Sequence, residues 1–300
     1  MQNKVFVAPL DSLSPGSNAV NGFQNVDGTV VAETNGITNG VEDHWIGLAE
    51  AEQLDLPVGC TVDSVSCRRD ESRIFIKCTS HTLAGRIYQY NLNSATSYQN
   101  GYSNGSLNHF PKSLARKPYG ELSIWRQSRV QNFDPDRWKV EQVWVPNPND
   151  GVKIPMYIVR DKSFVKTGDS FCLLYGYGGF NISLKPGFSP NVASMLTHTG
   201  GLYCVANIRG GGEFGEKWHK AAVRENRPVA FSDFEECGRY LIREGWTKKE
   251  KLVCQGGSNG GALIAAVMNR AGDEIFAAGI AQVGYILHVK ATLITEFWTF

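Results

Sequence analysis

The residues best suited to chemistry stand in the run KLVCQGGSNGGALIAAVM, where an apolar stretch leads into Gly256-Gly257-Ser258-Asn259-Gly260 and then into good helix formers. These five residues fit G-x-S-x-G, the pattern of a serine held on a sharp strand-to-helix turn with its hydroxyl exposed for acyl transfer. Gly256 and Gly260 suit that turn, because the backbones around the serine pass too closely to admit a Cβ. The helix that follows begins where negative charge develops on an attacked carbonyl, and its partly positive end favours the reaction. For the bare five residues, a glycine-rich turn that merely contains a serine is an equal alternative. The strand expected before it and the helix expected after it weigh against that alternative.

A second glycine-rich run offers different chemistry. Gly210, Gly212 and Gly215 satisfy G-x-G-x-x-G after an expected strand, which raises a dinucleotide-binding oxidoreductase as a remote alternative. Glu213 would place a negative charge inside the turn meant for a pyrophosphate, and EKWHKA is not an apolar helix start. Asp233 opens a helix, so no second strand ends in an acidic residue at the expected distance. Among the histidines, His219 reads as structural, and His44, His81, His109, His198 and His288 show no metal-ligand spacing. Neither a metal nor a cofactor is expected.

Composition narrows the class further. With 30 basic against 29 acidic residues the net charge is +1, and no run of five Lys or Arg is present to follow a phosphate backbone. Nucleic acid is not an expected partner. Seven cysteines, an odd number without a CxxC pair and partly set in apolar runs, point to a reduced chain in the cytoplasm. The N-terminus lacks a basic region followed by a sustained apolar stretch, and no window reaches the ~18 apolar residues that cross a bilayer, so no membrane partner is expected.

The elements that must position Ser258 divide at about residue 130. Residues 1–130 carry short strand-like runs, Lys4 to Ala8, Arg73 to Cys78 and Arg86 to Tyr90, the last two spaced as antiparallel neighbours in a sandwich or propeller blade. Ser17 to Gly40 and Asn91 to Asn108, rich in Asn, Gly and Ser, read as long surface loops or partly disordered insertions. Over 131–300 the pattern becomes α/β. Lys139 to Val145 and Lys153 to Val159 flank the turn signal Asn149-Asp150-Gly151 and predict a hairpin. Strands follow at Phe171 to Tyr175, Leu202 to Asn207, Leu252 to Gln255 and Ala277 to Gln282, with helices near Asp233 to Glu244 and Gly261 to Arg270, an order that implies a mostly parallel sheet with crossover helices. In the first helix Phe231, Phe234, Cys237, Leu241 and Ile242 make the buried face, Ser232 with Glu235 is expected to cap the start, and Gly245 the end.

Taken together, GGSNGG, LLYGYGGFNIS and ANIRGGGEFGEKWHKA resemble the hydrolase domain of the prolyl oligopeptidase family, in the family's order and spacing. NDGVKIPMYIVRDK resembles its first hydrolase hairpin, and IFIKCTSHTLAGRIYQYNL the closing part of its β-propeller. The resemblance implies an α/β-hydrolase domain, here its N-terminal portion over 131–300, preceded over 1–130 by an incomplete β-propeller end. It implies cofactor-free cleavage of short peptides after proline and monomeric full-length members. On the matching positions Ser258 is the nucleophile, the backbone N–H of Asn259 one oxyanion donor and the Tyr177 hydroxyl the other. Phe180 would line the substrate cleft, and Trp298 would be the tryptophan under the substrate's proline, although YILHVKATLITEFWTF departs from the family pattern and a core tryptophan fits as well. In α/β hydrolases the triad's Asp and His follow the serine from later loops. No position here matches them, so the chain is expected to be inactive alone, as a fragment or as a truncated binding or regulatory module.

Overall fold

A computed structural model of the chain describes residues 4–9, 24–26, 29–34, 52–68, 70–92 and 120–282. The chain divides into two compact units, Gln2–Arg129 and Val130–Phe300.

In the first unit, β1 (Lys4–Pro9), β2 (Gln24–Val26), β3 (Thr29–Thr34) and β4 (Glu52–Gln53) form an antiparallel sheet in the order β2-β3-β1-β4. The expectation of a surface loop over Ser17 to Gly40 is therefore corrected, because β2 and β3 lie within it. Its polar residues conceal Val26, Val30 and Val31, which suit a strand as well as a loop. The other expected loop, Asn91 to Asn108, lies outside the described residues from residue 93 onward.

A second antiparallel sheet, β5 (Cys60–Cys67), β6 (Arg73–Ser80), β7 (Arg86–Asn91) and β8 (Glu121–Gln127), pairs each strand with the next. Alternate residues point one way, so Ile74, Ile76 and Cys78 of β6 meet Tyr88 and Tyr90 of β7 in one buried cluster. The expected neighbours β6 and β7 do pair, with Ile76 opposite Tyr88.

The second unit is α/β. The hairpin of β9 (Trp138–Pro146) and β10 (Lys153–Asp161) forms where the Asn-Asp-Gly turn predicts it, with Gly151 at φ 74°. After it come β11 (Cys172–Gly176), α1 (Pro190–Thr199), β12 (Leu202–Ala206), α2 (Glu216–Lys220), α3 (Pro228–Arg243), β13 (Leu252–Gly257), α4 (Asn259–Ile275) and β14 (Ala278–Gln282). The sheet order is β14-β13-β11-β12-β10-β9, parallel from β14 through β12 and antiparallel in the hairpin and its join. Leu174, Cys204 and Cys254 on the sheet pack with Phe234, Cys237 and Leu241 of α3 and Leu263, Ile264 and Val267 of α4. β14 is the outer strand, and its five residues are all exposed.

Two helix starts differ from expectation. α3 begins at Pro228, whose fixed φ suits a first helical turn, rather than at Ser232. The Ser232 hydroxyl is engaged instead by the side-chain amides of Asn147 and Asn149, and Glu235 accepts from Arg270. The apolar face matches expectation, with Phe231, Phe234, Cys237 and Leu241 buried. α1 was not expected at all. Ser189 caps it by accepting from the Val192 N–H, Pro190 opens it, and Gly200 in the left-handed region closes it.

Candidate active site

The site is built on the C-terminal ends of β11 and β13. β13 lies between β11 and β14 and delivers the chain into a one-residue turn at Ser258, after which α4 begins at Asn259. Ser258 is exposed, at φ 53° and ψ −117°. A β-carbon in the left-handed half of the map costs about 1–2 kcal/mol, so the surrounding fold must hold this residue in place. Its N–H donates to the Gln282 carbonyl at 2.9 Å, and its own carbonyl accepts from the Gly261 N–H at 2.9 Å.

The glycines are required by distance. A Cβ on Gly256 would lie 2.4 Å from the Gly260 oxygen and 2.8 Å from the Gly176 oxygen, and one on Gly260 would lie 2.5 Å from the same Gly176 oxygen. Three backbone segments thus meet with no room between them: the end of β11, the end of β13 and the first turn of α4.

Tyr177 is the first residue beyond β11 and is half-buried. Its carbonyl accepts from the Asn259 side-chain amide at 2.7 Å. Gly179 lies on that amide so closely that a Cβ would be 2.4 Å from Nδ2. The Asn259 N–H, being the first of α4, has no acceptor within its own helix. On the far side of Asn259, Oδ1 accepts from Arg227 Nη2 at 3.1 Å, and Nη1 of the same guanidinium donates to the Gly178 carbonyl. Burial pushes the Arg227 pKa down to about 10, with nearby Tyr177 acting the other way.

Beyond Gly179 the chain makes two left-handed residues in succession, Phe180 at φ 52° and Asn181 at φ 55°, which leave Phe180 and Ile182 about half exposed (54% and 50%). The turn is held from below. His219 Nδ1 lies 3.2 Å from the Asn181 nitrogen and 2.7 Å from the Gly210 oxygen, accepting from the first or donating to the second according to its tautomer. Glu213, buried at 2% exposure, accepts from the Leu184 N–H at 2.9 Å and from the Asn207 amide at 3.1 Å. Burial raises its pKa against those bonds.

The Gly210–Gly215 turn is occupied by this work. The Gly210 N–H donates to the Trp218 carbonyl and the Gly215 N–H to that of Gly212, and the helix that follows has five residues. It does not present a row of free N–H groups to a pyrophosphate. Behind it, Arg209 is clamped by the wholly buried Asp233, with Nε and Nη2 at 2.8 and 2.6 Å from the two carboxylate oxygens and Nη1 on Asp150. Although burial opposes it, that pairing raises the Arg209 pKa.

Of the residues singled out from sequence, Ser258, Asn259, Tyr177, Gly256 and Gly260 come together, and Phe180 stands on the same loop as Tyr177. Trp298 lies outside the described residues, as does His288. Sequence reasoning missed Arg227, which reads as an ordinary residue before Pro228, and it took Glu213 only as an argument against a phosphate. Among the described residues no group of three or more His, Cys, Asp or Glu is placed to hold a metal.

Residues 186–299 match the Prolyl oligopeptidase family. Prolyl oligopeptidase A of Amanita bisporigera is 44% identical over 223 residues, 74% of this chain and 26% of that protein. Residues 186–299 thus form part of a prolyl oligopeptidase family domain. The prolyl endopeptidase of Elizabethkingia miricola is 33% identical over 221 residues, again 74% of this chain and 27% of its own length, so the chain spans about a quarter of these relatives. Among solved structures, prolyl oligopeptidase B from Galerina marginata without ligand has a TM-score of 0.62 at 33% identity, covering 74% of this chain and 28% of that one. A post-proline cleaving enzyme from Rickettsia typhi has a TM-score of 0.62 at 28% identity, over 91% of this chain and 36% of its own. The prolyl oligopeptidase family is one of serine peptidases.

Proposed function

We propose that this chain carries the nucleophile and the oxyanion donors of a serine peptidase that cleaves short peptides after proline. Ser258 attacks the scissile carbonyl, and the Asn259 N–H and the Tyr177 hydroxyl receive the charge that develops on its oxygen. The observation that carries this reading is the 2.7 Å bond from the Asn259 amide to the Tyr177 carbonyl, which ties the two donor-bearing residues together beside a strained, exposed serine. Phe180 lines the substrate cleft, with Trp298 as a second aromatic wall. No cofactor takes part. Peptide substrates are supported by prolyl oligopeptidase B of Galerina marginata, solved with a 25mer macrocyclization substrate.

The β5–β8 sheet is the end of the propeller, and the α/β unit is the N-terminal portion of the hydrolase domain. A monomer working in the reducing cytoplasm accords with seven cysteines that form no disulfide; among the described residues no helix is long and apolar enough to cross a membrane. The near-neutral charge supports no role with nucleic acid.

No residue of this chain is assigned as the base or its acidic partner, and the polypeptide by itself is expected to acylate only slowly. A serine hydroxyl is a weak nucleophile at neutral pH until a base takes its proton. The test is a fluorophosphonate probe on the purified chain, with Ser258→Ala as control. Trace labelling that disappears in the control is expected. Strong Ser258-dependent labelling would show a base within the chain, and labelling that survives Ser258→Ala would remove the serine from the mechanism.

A further inference from the structure

Both oxyanion donors sit on segments that a single side chain joins. Tyr177 is on the loop after β11, and Asn259 opens α4 after the Ser258 turn. Arg227, at the start of α3, reaches both: one nitrogen donates to the Gly178 carbonyl, next to Tyr177, and another to Asn259 Oδ1 at 3.1 Å. Asn259 completes the triangle with its bond to the Tyr177 carbonyl. Arg227 and Asn259 are both buried, at 6% and 4% exposure. In such surroundings a bond from a charged donor is stronger and better directed than a neutral one. The Asn259 amide is also oriented by it, since Oδ1 facing the guanidinium leaves Nδ2 facing the loop.

The Arg227 guanidinium donates to a main-chain carbonyl and an amide oxygen that belong to the two halves of the oxyanion site, with the Phe231 ring 5.5 Å from its central carbon. From this geometry we infer that Arg227 is a positioning residue for acyl transfer: it fixes the separation of the Tyr177 and Asn259 donors without touching the substrate. The inference rests on the reading of Ser258, Tyr177 and Asn259 given above. It predicts that Arg227 matters only as long as there are two donors to align, because misplacing a donor by about 1 Å costs up to 10²-fold in rate.

The test uses the chain as it stands, with the base supplied from solution. Imidazole takes the Ser258 proton, Ser258 Oγ attacks the carbonyl of 4-nitrophenyl acetate, nitrophenolate leaves, and acetyl-Ser258 is read by mass spectrometry. Acetylation that depends on imidazole and is absent in Ser258→Ala is the control for the underlying reading; its failure sinks that reading and this inference with it. Given that control, Arg227→Met is expected to slow acetylation at least tenfold without changing the ester concentration for half-maximal rate, and Arg227→Lys to slow it less. In a Tyr177→Phe background the Arg227→Met effect is expected to shrink to less than threefold, since positioning and donor act as one unit. Equal slowing in both backgrounds, or Arg227→Met acetylating at the parental rate, overturns the inference. If Arg227→Met does not fold, the same comparison with Arg227→Lys decides: loss confined to the Tyr177 background supports positioning, and loss in both alike refutes it.

Discussion

Replacing Gly256 by alanine tests the close meeting of three backbones on which the site depends. The new Cβ would stand 2.4 Å from the Gly260 oxygen, 2.6 Å from the Gly260 carbonyl carbon and 2.8 Å from the Gly176 oxygen. Every neighbour is main chain, so no side chain can swing aside. The backbones must part by nearly 1 Å in a close-packed interior. Overpacking of this kind costs about 3 kcal/mol, and with a urea slope of about 2 kcal/mol/M the unfolding midpoint should fall by roughly 1.5 M. Gly187→Ala is the internal comparison. Among the described residues its Cβ would meet only the Lys185 oxygen, at 4.0 Å, and the change should be neutral or stabilising by about 0.5 kcal/mol. Urea titration of dilute protein, followed by fluorescence of the buried Trp138, Trp218 and Trp246, reads both variants. A Gly256→Ala midpoint matching that of Gly187→Ala would refute the reasoning.

Other expectations follow from the same geometry. In a peptidase with its base and acid present, Tyr177→Phe should cost about 3 kcal/mol in kcat/KM, the usual size for one oxyanion donor; unchanged kinetics would remove Tyr177 from the mechanism. Arg209→Met strands the wholly buried Asp233 carboxylate and should destabilise by about 3–5 kcal/mol, whereas Asp150→Asn, at a partner 39% exposed, should cost under about 1 kcal/mol. Equal losses in urea titrations would contradict that ranking. The chain expressed alone should self-associate through the exposed outer strand β14, and Ile280→Lys, at a residue 44% exposed, should reduce this in sedimentation experiments. A monodisperse parent chain would rule out that route.

What was legible in the sequence was whatever local chemistry enforces. Asn149-Asp150-Gly151 demands a tight turn, and the glycines flanking Ser258 signal a close backbone approach, so the hairpin and the elbow could be read directly. The α3 face was legible because its apolar residues repeat at helical spacing. Its start was not, because Ser232 and Glu235 resemble a capping pair but are drawn away by Asn147, Asn149 and Arg270, partners distant in sequence. α1 carried signals that could have been read, Ser189-Pro190 at one end and Gly200 at the other. Arg227 was beyond reach. Nothing in the neighbouring residues announces that its guanidinium ends on Gly178 and Asn259, 49 and 32 positions away.

The backbone angle at Ser258 also makes that position a recorder of use. At φ 53° a serine carries a standing penalty of about 1 kcal/mol that glycine escapes. Selection for foldedness alone would therefore drift residue 258 toward glycine, and only demand for its hydroxyl opposes that drift. In copies of this gene released from acyl transfer, the elbow should relax first at this residue, while Gly256 and Gly260 persist because the fold itself cannot close without them. The pair of outcomes separates a lineage that keeps the architecture from one that still employs it.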